Sequence, residues 1–332
     1  MHPNRSAIAA YLAERHGTPV ELIAISSLGG TEAATERPAG AAPPLKSYGY
    51  GKPLLLRYRV AGVEQRAVLR TVAPNGFGHE RRADRAAELL LAYDSFNTLP
   101  SHVRAQDIGV IAADGGLRSL PPGEEFFLLT DYAPGRLYAD DLRRLVATGA
   151  LTERDRRRAH QLALYLAEIH AVRRDEPMLY QRHLRDLIGS GEGIAGLLDS
   201  YPADFALVSP AWLEEVERRC VEWRWRLKAH PERLAQIHGD FHPFNLLFDD
   251  EDGLTLLDRS RGPWGEPADD VSCMAINYLF FSLQRAGTLA PPFSELWDSF
   301  WSTYLTHSGD DGLLHVVQPF FVWRALVVAS PV

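Results

Sequence analysis

One segment of the chain, residues 237–272, concentrates polar side chains of the kinds that bind hard cations and move protons. A His-Gly-Asp triplet ends at Asp240, Asn245 follows five positions later, and Asp258 lies thirteen positions after the asparagine. Magnesium prefers oxygen ligands, few of them from protein and the rest from phosphates and water. A further carboxylate can accept a proton from an attacking hydroxyl. These residue types match the needs of phosphoryl transfer, which are two oxygen ligands for a metal ion and one base.

The sequence between these residues predicts the local structure that brings them together. The apolar runs LLF and LTLL flank the acidic turn 249–253, whose Asp-Gly step is a hairpin signal. Asn245 then enters the first strand and Asp258 leaves the second, so the two ends of the hairpin meet. We expect Asn245 and Asp258 to converge on one cation, with Asp240 on the preceding loop.

The pattern HGD-x4-N, with its later aspartate, resembles the catalytic and metal-binding signature of the aminoglycoside phosphotransferase and choline kinase-like superfamily, relatives of protein kinases. The segment 265–270 is similar to the family stretch that follows the metal-binding aspartate, and LAEIH at 166–170 is similar to the helix before the catalytic loop. By this resemblance Asp240 is the catalytic base, and Asn245 and Asp258 hold Mg²⁺. The implied enzyme is an ATP-dependent phosphotransferase that transfers the γ-phosphoryl group to a hydroxyl of a small molecule.

The resemblance implies an α+β, two-lobed protein-kinase-like fold, with a small antiparallel β-rich lobe and a larger, mainly helical lobe. The sequence agrees, because its first third alternates short β-type runs with turns and its last 190 or so residues have helical apolar spacing. We place the nucleotide-binding lobe at 1–131, with an N-terminal helix and a mobile Gly/Pro/Ala-rich loop at 29–44. The catalytic and acceptor-binding lobe is placed at 132–332, after the apolar run EFFLLTD.

The resemblance also assigns a phosphate-binding cation and its acidic partner to the first lobe. Arg70, at the end of a predicted strand, takes the place of the family's Lys or Arg that reaches the nucleotide phosphates. The next predicted helix, from about 77 to 96, carries Glu80, Asp84 and Glu88 on one face. Asp84 is favoured as the partner of Arg70 by its position, but the sequence does not choose among the three.

Two further segments are candidates for nucleotide contacts. Gly49, Gly51 and Lys52 occupy a hairpin turn where kinase-like folds lay a loop over the triphosphate, although such a turn is more often only a turn. Thr130 and Tyr132 lie at the hinge between lobes, where by resemblance a carbonyl and an N–H pair with the adenine edge. Backbone contacts of this kind leave no side-chain signature.

The acceptor is less well specified. Arg259 and Arg261 follow the metal-binding aspartate and argue against a polycationic acceptor, unless they pair with Asp269 or Glu266, which is the commoner fate of such arginines. Aminoglycosides, other amino sugars, choline-type alcohols and simple metabolites stay open, because family membership does not fix the substrate.

Composition excludes several classes of partner and site. The chain has 332 residues and a formal net charge of −8, without the basic excess that nucleic acid demands. Its two cysteines, Cys220 and Cys273, lie outside any CxxC pattern and indicate neither a disulfide framework nor a thiolate zinc site. With no signal-peptide pattern and no bilayer-length apolar run, we expect a cytoplasmic protein without a membrane partner. The apolar ending FFVWRALVVASPV leaves a missing C-terminal portion open, and the oligomeric state cannot be inferred.

Two other functions compete with this interpretation. A degenerate kinase would bind nucleotide as a regulatory module without chemistry, but all three polar catalytic residues are retained. A Ser/Thr protein kinase would carry HRD in place of HGD, and Phe-Gly in place of Arg-Ser after the metal-binding aspartate.

Overall fold

A computed structural model describes most of the chain, namely residues 3–27, 53–75, 78–97, 103–120, 132–202, 204–259 and 261–329. The protein is of the α+β class, with small antiparallel sheets and a mostly helical larger part, as predicted. Internal contacts divide it into two units, Met1–Leu129 and Thr130–Val332. The predicted loop at 29–44 and the predicted strand EFFLLTD at 125–131 lie outside the described residues.

The first unit is built on a three-stranded antiparallel sheet in the order β1-β2-β3. The apolar face of this sheet packs against the first helix through Ile8, Leu12, Leu22, Leu56 and Tyr58. Its elements are α1 (Arg5–His16), β1 (Val20–Ser27), β2 (Leu54–Val60), β3 (Val63–Leu69), α2 (Arg82–Phe96), β4 (Gly109–Ile111) and β5 (Leu117–Ser119).

In its described residues the second unit contains two short antiparallel sheets, β6-β8-β9 and β7-β10, and nine α-helices. In chain order its elements are β6 (Arg136–Leu137), α3 (Tyr138–Thr148), α4 (Glu153–His170), α5 (Pro177–Gly189), α6 (Ile194–Asp199), α7 (Pro210–Leu227), β7 (Ala235–Gln236), β8 (Leu246–Phe248), β9 (Leu254–Leu256), β10 (Trp264–Gly265), α8 (Pro267–Ala286), α9 (Phe293–Ser308), α10 (Leu313–Val316) and α11 (Gln318–Ala329). No helix within the described ranges is long and apolar enough to cross a membrane.

Helices α4, α8 and α9 form the centre of the second unit. Leu162 and Leu166 of α4 are fully buried, and they belong to one core with Met274 and Tyr278 of α8 and Phe300 of α9. Helix α8 is buried along most of its length, so the residues at its first turn are removed from solvent as well.

Local capping signals set the ends of two helices. Thr152 and Asp155 form a capping box at the start of α4, each side chain accepting a hydrogen bond from the backbone N–H of the other. Ser209 caps α7, and Pro210 occupies the first position of that helix. Both starts agree with the sequence, which carries Thr-x-x-Asp and Ser-Pro at these points.

The predicted hairpin is confirmed as β8 and β9, which pair in antiparallel register. Its turn is fastened to α4, because Arg154 Nε and Arg158 Nε both donate to Asp252 Oδ1, at 2.6 and 2.8 Å, and Arg157 donates to Oδ2 at 3.2 Å. Partial burial opposes ionisation, but these hydrogen bonds prevail and lower the pKa of Asp252 to about 2. Asp252 also has a left-handed backbone, with φ of 66°, which Asp and Asn tolerate better than most residues.

We predict that Asp252→Asn lowers the free energy of unfolding by about 1–3 kcal/mol at pH 7, because it removes charge-assisted hydrogen bonds and keeps the left-handed backbone. The folded pKa lies below the ordinary value of 3.8, so this stabilisation is present above about pH 4 and is lost as the pH falls through about 2. Urea unfolding across this range measures the loss. Asp250→Asn, at an exposed position of the same turn, is the control, and an equal loss in both variants would contradict the anchoring role.

Candidate active site

The loop 238–245, between β7 and β8, is held by the first turn of α8. Asp270, which is fully buried, accepts hydrogen bonds from the backbone N–H groups of His238 and Gly239, each at 2.7 Å. Its Oδ2 also lies 3.3 Å from His170 Nε2 at the end of α4. Burial alone would raise the pKa of Asp270, but the hydrogen bonds and nearby histidines lower it, so the carboxylate stays ionised at neutral pH.

Two residues of the 238–245 loop fit local requirements of its backbone and its surroundings. Gly239 has φ of +90°, a conformation that other residues adopt only with strain, and a Cβ there would lie 3.2 Å from the Cβ of Arg261. His238 Nε2 lies 2.9 Å from the carbonyl oxygen of Leu257, so the loop is tied to the end of β9. Together with Asp270, these contacts brace the 238–245 loop against the end of β9 and the start of α8.

The Asp240 side chain is 16% exposed and faces three nitrogen-bearing side chains. Its Oδ1 accepts a hydrogen bond from Arg324 Nη1 at 3.0 Å and lies 3.8 Å from Arg261 Nη2, and its Oδ2 lies 3.3 Å from His242 Nε2. Burial raises the pKa of Asp240, but the hydrogen bond with His242 and the charges of Arg324 and Arg261 outweigh it and hold the pKa well below its ordinary value. Asp240 is therefore an anion at neutral pH.

Asn245 is hydrogen-bonded both to Asp240 and to the residue that precedes Asp258. Its Nδ2 donates to the carbonyl oxygen of Asp240 at 3.1 Å, and its own carbonyl accepts from the N–H of Leu257 at 2.8 Å. No hydrogen bond from the described residues reaches the amide oxygen Oδ1, which is a ligand type that suits Mg²⁺. Leu257 immediately precedes Asp258, so the start and end of the hairpin lie side by side.

Asp258 has a left-handed backbone conformation. It is exposed and has φ of 48°, an uncommon value for a residue other than glycine. A carboxylate and an amide oxygen are both ligand types that suit Mg²⁺. Among the described residues no three His, Cys, Asp or Glu side chains form a metal-binding cluster. A site with one amide and one carboxylate from protein would not be such a cluster.

In the first unit the acidic candidates for pairing with Arg70 have other contacts. Asp84 accepts a hydrogen bond from the backbone N–H of Arg81 at 2.7 Å, at the start of α2, and Glu88 lies 2.6 Å from His79 Nε2. Helix α2 begins at Arg82, so Glu80 precedes it, and the prediction that all three acids share one helical face is wrong for Glu80.

Arg70 is exposed just beyond β3. No hydrogen bond or ion pair within the described ranges joins it to Glu80, Asp84 or Glu88, so its pairing stays a prediction. Tyr132 is described and is 89% exposed. Gly49, Gly51, Lys52 and Thr130 lie outside the described residues.

The ion pairs expected for Arg259 and Arg261 are not the ones that form. Arg259 donates to the carbonyl oxygen of Ile237 at 2.7 and 3.0 Å, whereas Arg261 lies 3.8 Å from both Asp240 and Glu192. The predicted acidic partners are buried and bind arginines from elsewhere in the chain, Asp269 with Arg324 and Glu266 with Arg233. Sequence reasoning missed Arg324, whose one signal is a single charge within the apolar run FFVWRALVV.

A family model described as a phosphotransferase enzyme family (APH) matches residues 55–299, about three quarters of the chain. The chain belongs to this phosphotransferase family. The match contains the 238–245 loop and the hairpin, and it confirms the family and the kinase-like fold class inferred from the sequence.

Several solved structures are weakly similar to this chain. A glucosamine kinase in complex with glucosamine, ADP and inorganic phosphate is 20% identical, with 57% of this chain and 53% of that chain covered and a TM-score of 0.41. The chain thus spans about half the length of that kinase. An aminoglycoside-3'-phosphotransferase of type VIII is 17% identical, with 98% of both chains covered and a TM-score of 0.38.

A Plasmodium vivax ethanolamine kinase is 13% identical, with 82% of this chain and 71% of that chain covered and a TM-score of 0.40. Because these TM-scores are below 0.5, the likenesses carry no argument about what this chain binds or acts on. No curated protein is significantly similar to the chain.

We predict that Asp270→Asn lowers the free energy of unfolding by about 1–3 kcal/mol, because an amide NH₂ would face one of the two backbone N–H groups that the carboxylate now satisfies. Chemical denaturation measures the loss. Ser272→Ala is the control, since this buried hydroxyl on the same helix turn donates only within its own helix, to the carbonyl of Asp269. Asp270→Asn as stable as Ser272→Ala would show that the loop does not depend on Asp270.

Proposed function

We propose that this protein is a small-molecule kinase that transfers the γ-phosphoryl group of ATP to a substrate hydroxyl with the help of Mg²⁺. The observation that carries the proposal is the arrangement of the 238–245 loop. An ionised Asp240 lies beside Asn245, whose amide nitrogen donates to the Asp240 carbonyl and whose backbone carbonyl accepts from Leu257, the residue before Asp258.

In this proposal Asp240 orients the acceptor hydroxyl and takes its proton. A carboxylate with such a depressed pKa is a weak base, so it accepts the proton only once the hydroxyl oxygen has begun to bond to phosphorus. Most of the rate then comes from positioning and charge neutralisation, as is general for phosphoryl transfer. The ion pair with Arg324 engages Oδ1, so the acceptor hydroxyl would meet Oδ2, which also lies 3.3 Å from His242 Nε2.

Asn245 and Asp258 are the residues that would hold Mg²⁺. When bound between them and the nucleotide, Mg²⁺ would neutralise charge on the phosphate oxygens. The hairpin supplies the fixed separation of these two ligands, since its turn is fastened to α4 and its base is tied to His238.

The nucleotide contacts predicted from the sequence complete the proposal. Arg70 would steady the phosphates, with Asp84 as its acidic partner, Gly49, Gly51 and Lys52 would lie over them, and the backbone of Thr130 and Tyr132 would bind adenine. The acceptor class is a hydroxylated small molecule. A cytoplasmic location stays a prediction.

We predict that the wild-type protein releases ADP with at least one acceptor in a coupled screen of hydroxylated metabolites and antibiotics, and that Asp240→Ala lowers this turnover by about 10²–10⁴-fold while ATP binding is largely retained. Asp250→Ala, in the exposed turn, is the matched control.

Near-normal turnover by Asp240→Ala would refute the assigned base. ATP binding without turnover across the whole panel would favour a regulatory module, and phosphate incorporation into protein substrates would favour a protein kinase.

We further predict that Asp258→Asn abolishes the Mg²⁺ dependence of ATP binding and changes the free energy of unfolding by less than about 0.5 kcal/mol, because the side chain is exposed and Asn tolerates positive φ. Calorimetric titration of ATP with and without Mg²⁺, together with urea unfolding, tests both halves. Retained Mg²⁺ dependence would remove Asp258 from the metal site.

A further inference from the structure

Arg324 of α11 is a buried cation with contacts to two acidic side chains of the second unit. Its side chain is 3% exposed, Nη1 donates to Asp240 Oδ1 at 3.0 Å, and Nη2 donates to Asp269 Oδ1 at 2.6 Å. Nη2 also lies 3.3 Å from the carbonyl oxygen of Gly239. One guanidinium group therefore joins α8 to both the backbone and the side chain of the 238–245 loop.

This arginine comes from outside the part of the chain that the family model matches. The match ends at residue 299, and α11 begins at Gln318. Helix α11 is nevertheless firmly packed, because Trp323 and Leu326 are buried in one cluster with residues of α6 and α7. The Leu326 carbonyl also accepts a hydrogen bond from Tyr201 Oη at 3.0 Å.

The geometry distinguishes a positioning role from simple charge compensation. Pairing with Asp269 alone would be enough to neutralise a buried Arg324. The planar guanidinium instead uses its other nitrogen to hold one oxygen of Asp240, which fixes the rotation of that carboxylate and leaves Oδ2 for other contacts. Since Asp270 of the same helix turn fixes the loop backbone, α8 controls both the position and the orientation of Asp240.

We propose that Arg324 is a positioning residue that orients the Asp240 carboxylate for the acceptor hydroxyl. This inference rests on the proposed kinase function. It gives a role in the chemical step to α11, a helix that lies outside the residues matched by the family model. In this role Arg324 would contact neither substrate. A loss of orientation affects turnover more than nucleotide binding, because displacement of a reacting group by about 1 Å can cost about 10²-fold in rate.

The first test compares Arg324→Lys with Arg233→Lys. Arg233 is a buried arginine of the same unit that also bridges two carboxylates, Glu266 and Asp310, and it has no contact with Asp240. A lysine ammonium group lacks the planar, two-pronged geometry with which the guanidinium contacts both Asp240 and Asp269. We therefore expect Arg324→Lys to lower kcat at least about tenfold, with less than a twofold change in KM for ATP. The assay uses the acceptor found in the ADP-release screen, or water.

Arg233→Lys is expected to lower the unfolding midpoint by a comparable amount while kcat stays within about twofold of the wild type. A kcat within twofold of the wild type for Arg324→Lys would overturn the proposal. So would an equal fall in kcat for Arg233→Lys, because the effect would then follow stability and not the contact with Asp240.

The second test does not depend on turnover. In a double-mutant cycle on the urea midpoint, the shift caused by Asp240→Asn is expected to differ between the wild-type and Arg324→Met backgrounds, because the charge pair exists only in the first. Arg324→Gln replaces Arg324→Met if the latter does not fold. Equal shifts in both backgrounds would show that the two residues are not coupled and would overturn the proposal. Absence of turnover in the wild type would defeat the proposed function, and the cycle would still decide the coupling.

Discussion

Two adjacent buried carboxylates at the start of α8, Asp269 and Asp270, are the constraint on which the site depends. Each is fully buried, and a buried charge persists only if it is paired or hydrogen-bonded. Asp270 accepts hydrogen bonds from backbone N–H groups of the 238–245 loop, and Asp269 Oδ1 accepts one from Arg324. The requirement to satisfy these two charges therefore determines where the loop lies and which way Asp240 turns. Their location in the first turn of a helix adds a favourable interaction with the helix dipole.

The parts of this arrangement that depend on nearby residues could be predicted from the sequence. The hairpin, the capping box at Thr152 and the Ser209-Pro210 start of α7 each follow from signals a few residues apart, and the structure contains all three. The start of α2 was harder to predict from the sequence. The backbone N–H of Arg81 donates to Asp84 at that start, so Glu80 precedes the helix. Propensity alone does not locate such an end.

The ion pairs of the site could not be predicted in the same way. Arg324 and Asp240 are 84 positions apart, and nothing in their spacing links them. Arg259 and Arg261 are near Asp269 and Glu266 in sequence, which made them natural partners, but proximity along the chain does not decide pairing. Asp269 and Glu266 are fully buried and take arginines that are themselves buried, Arg324 and Arg233. Arg259 instead reaches a backbone carbonyl of Ile237, and its guanidinium is partly exposed.

Three different physical devices hold the proposed base and the two proposed metal ligands, and none of these devices needs a bound substrate. The Asp240 carboxylate is held by a guanidinium group, the Asn245 amide by the carbonyl of Asp240, and Asp258 by a left-handed backbone at the end of a fastened hairpin. Groups fixed before binding do not lose orientational freedom during reaction, which is how a preorganised polar site lowers a barrier. Buried charges and a strained φ in such a site lower the free energy of unfolding of the protein. The residues proposed to matter most for turnover are therefore not the ones that most stabilise the fold.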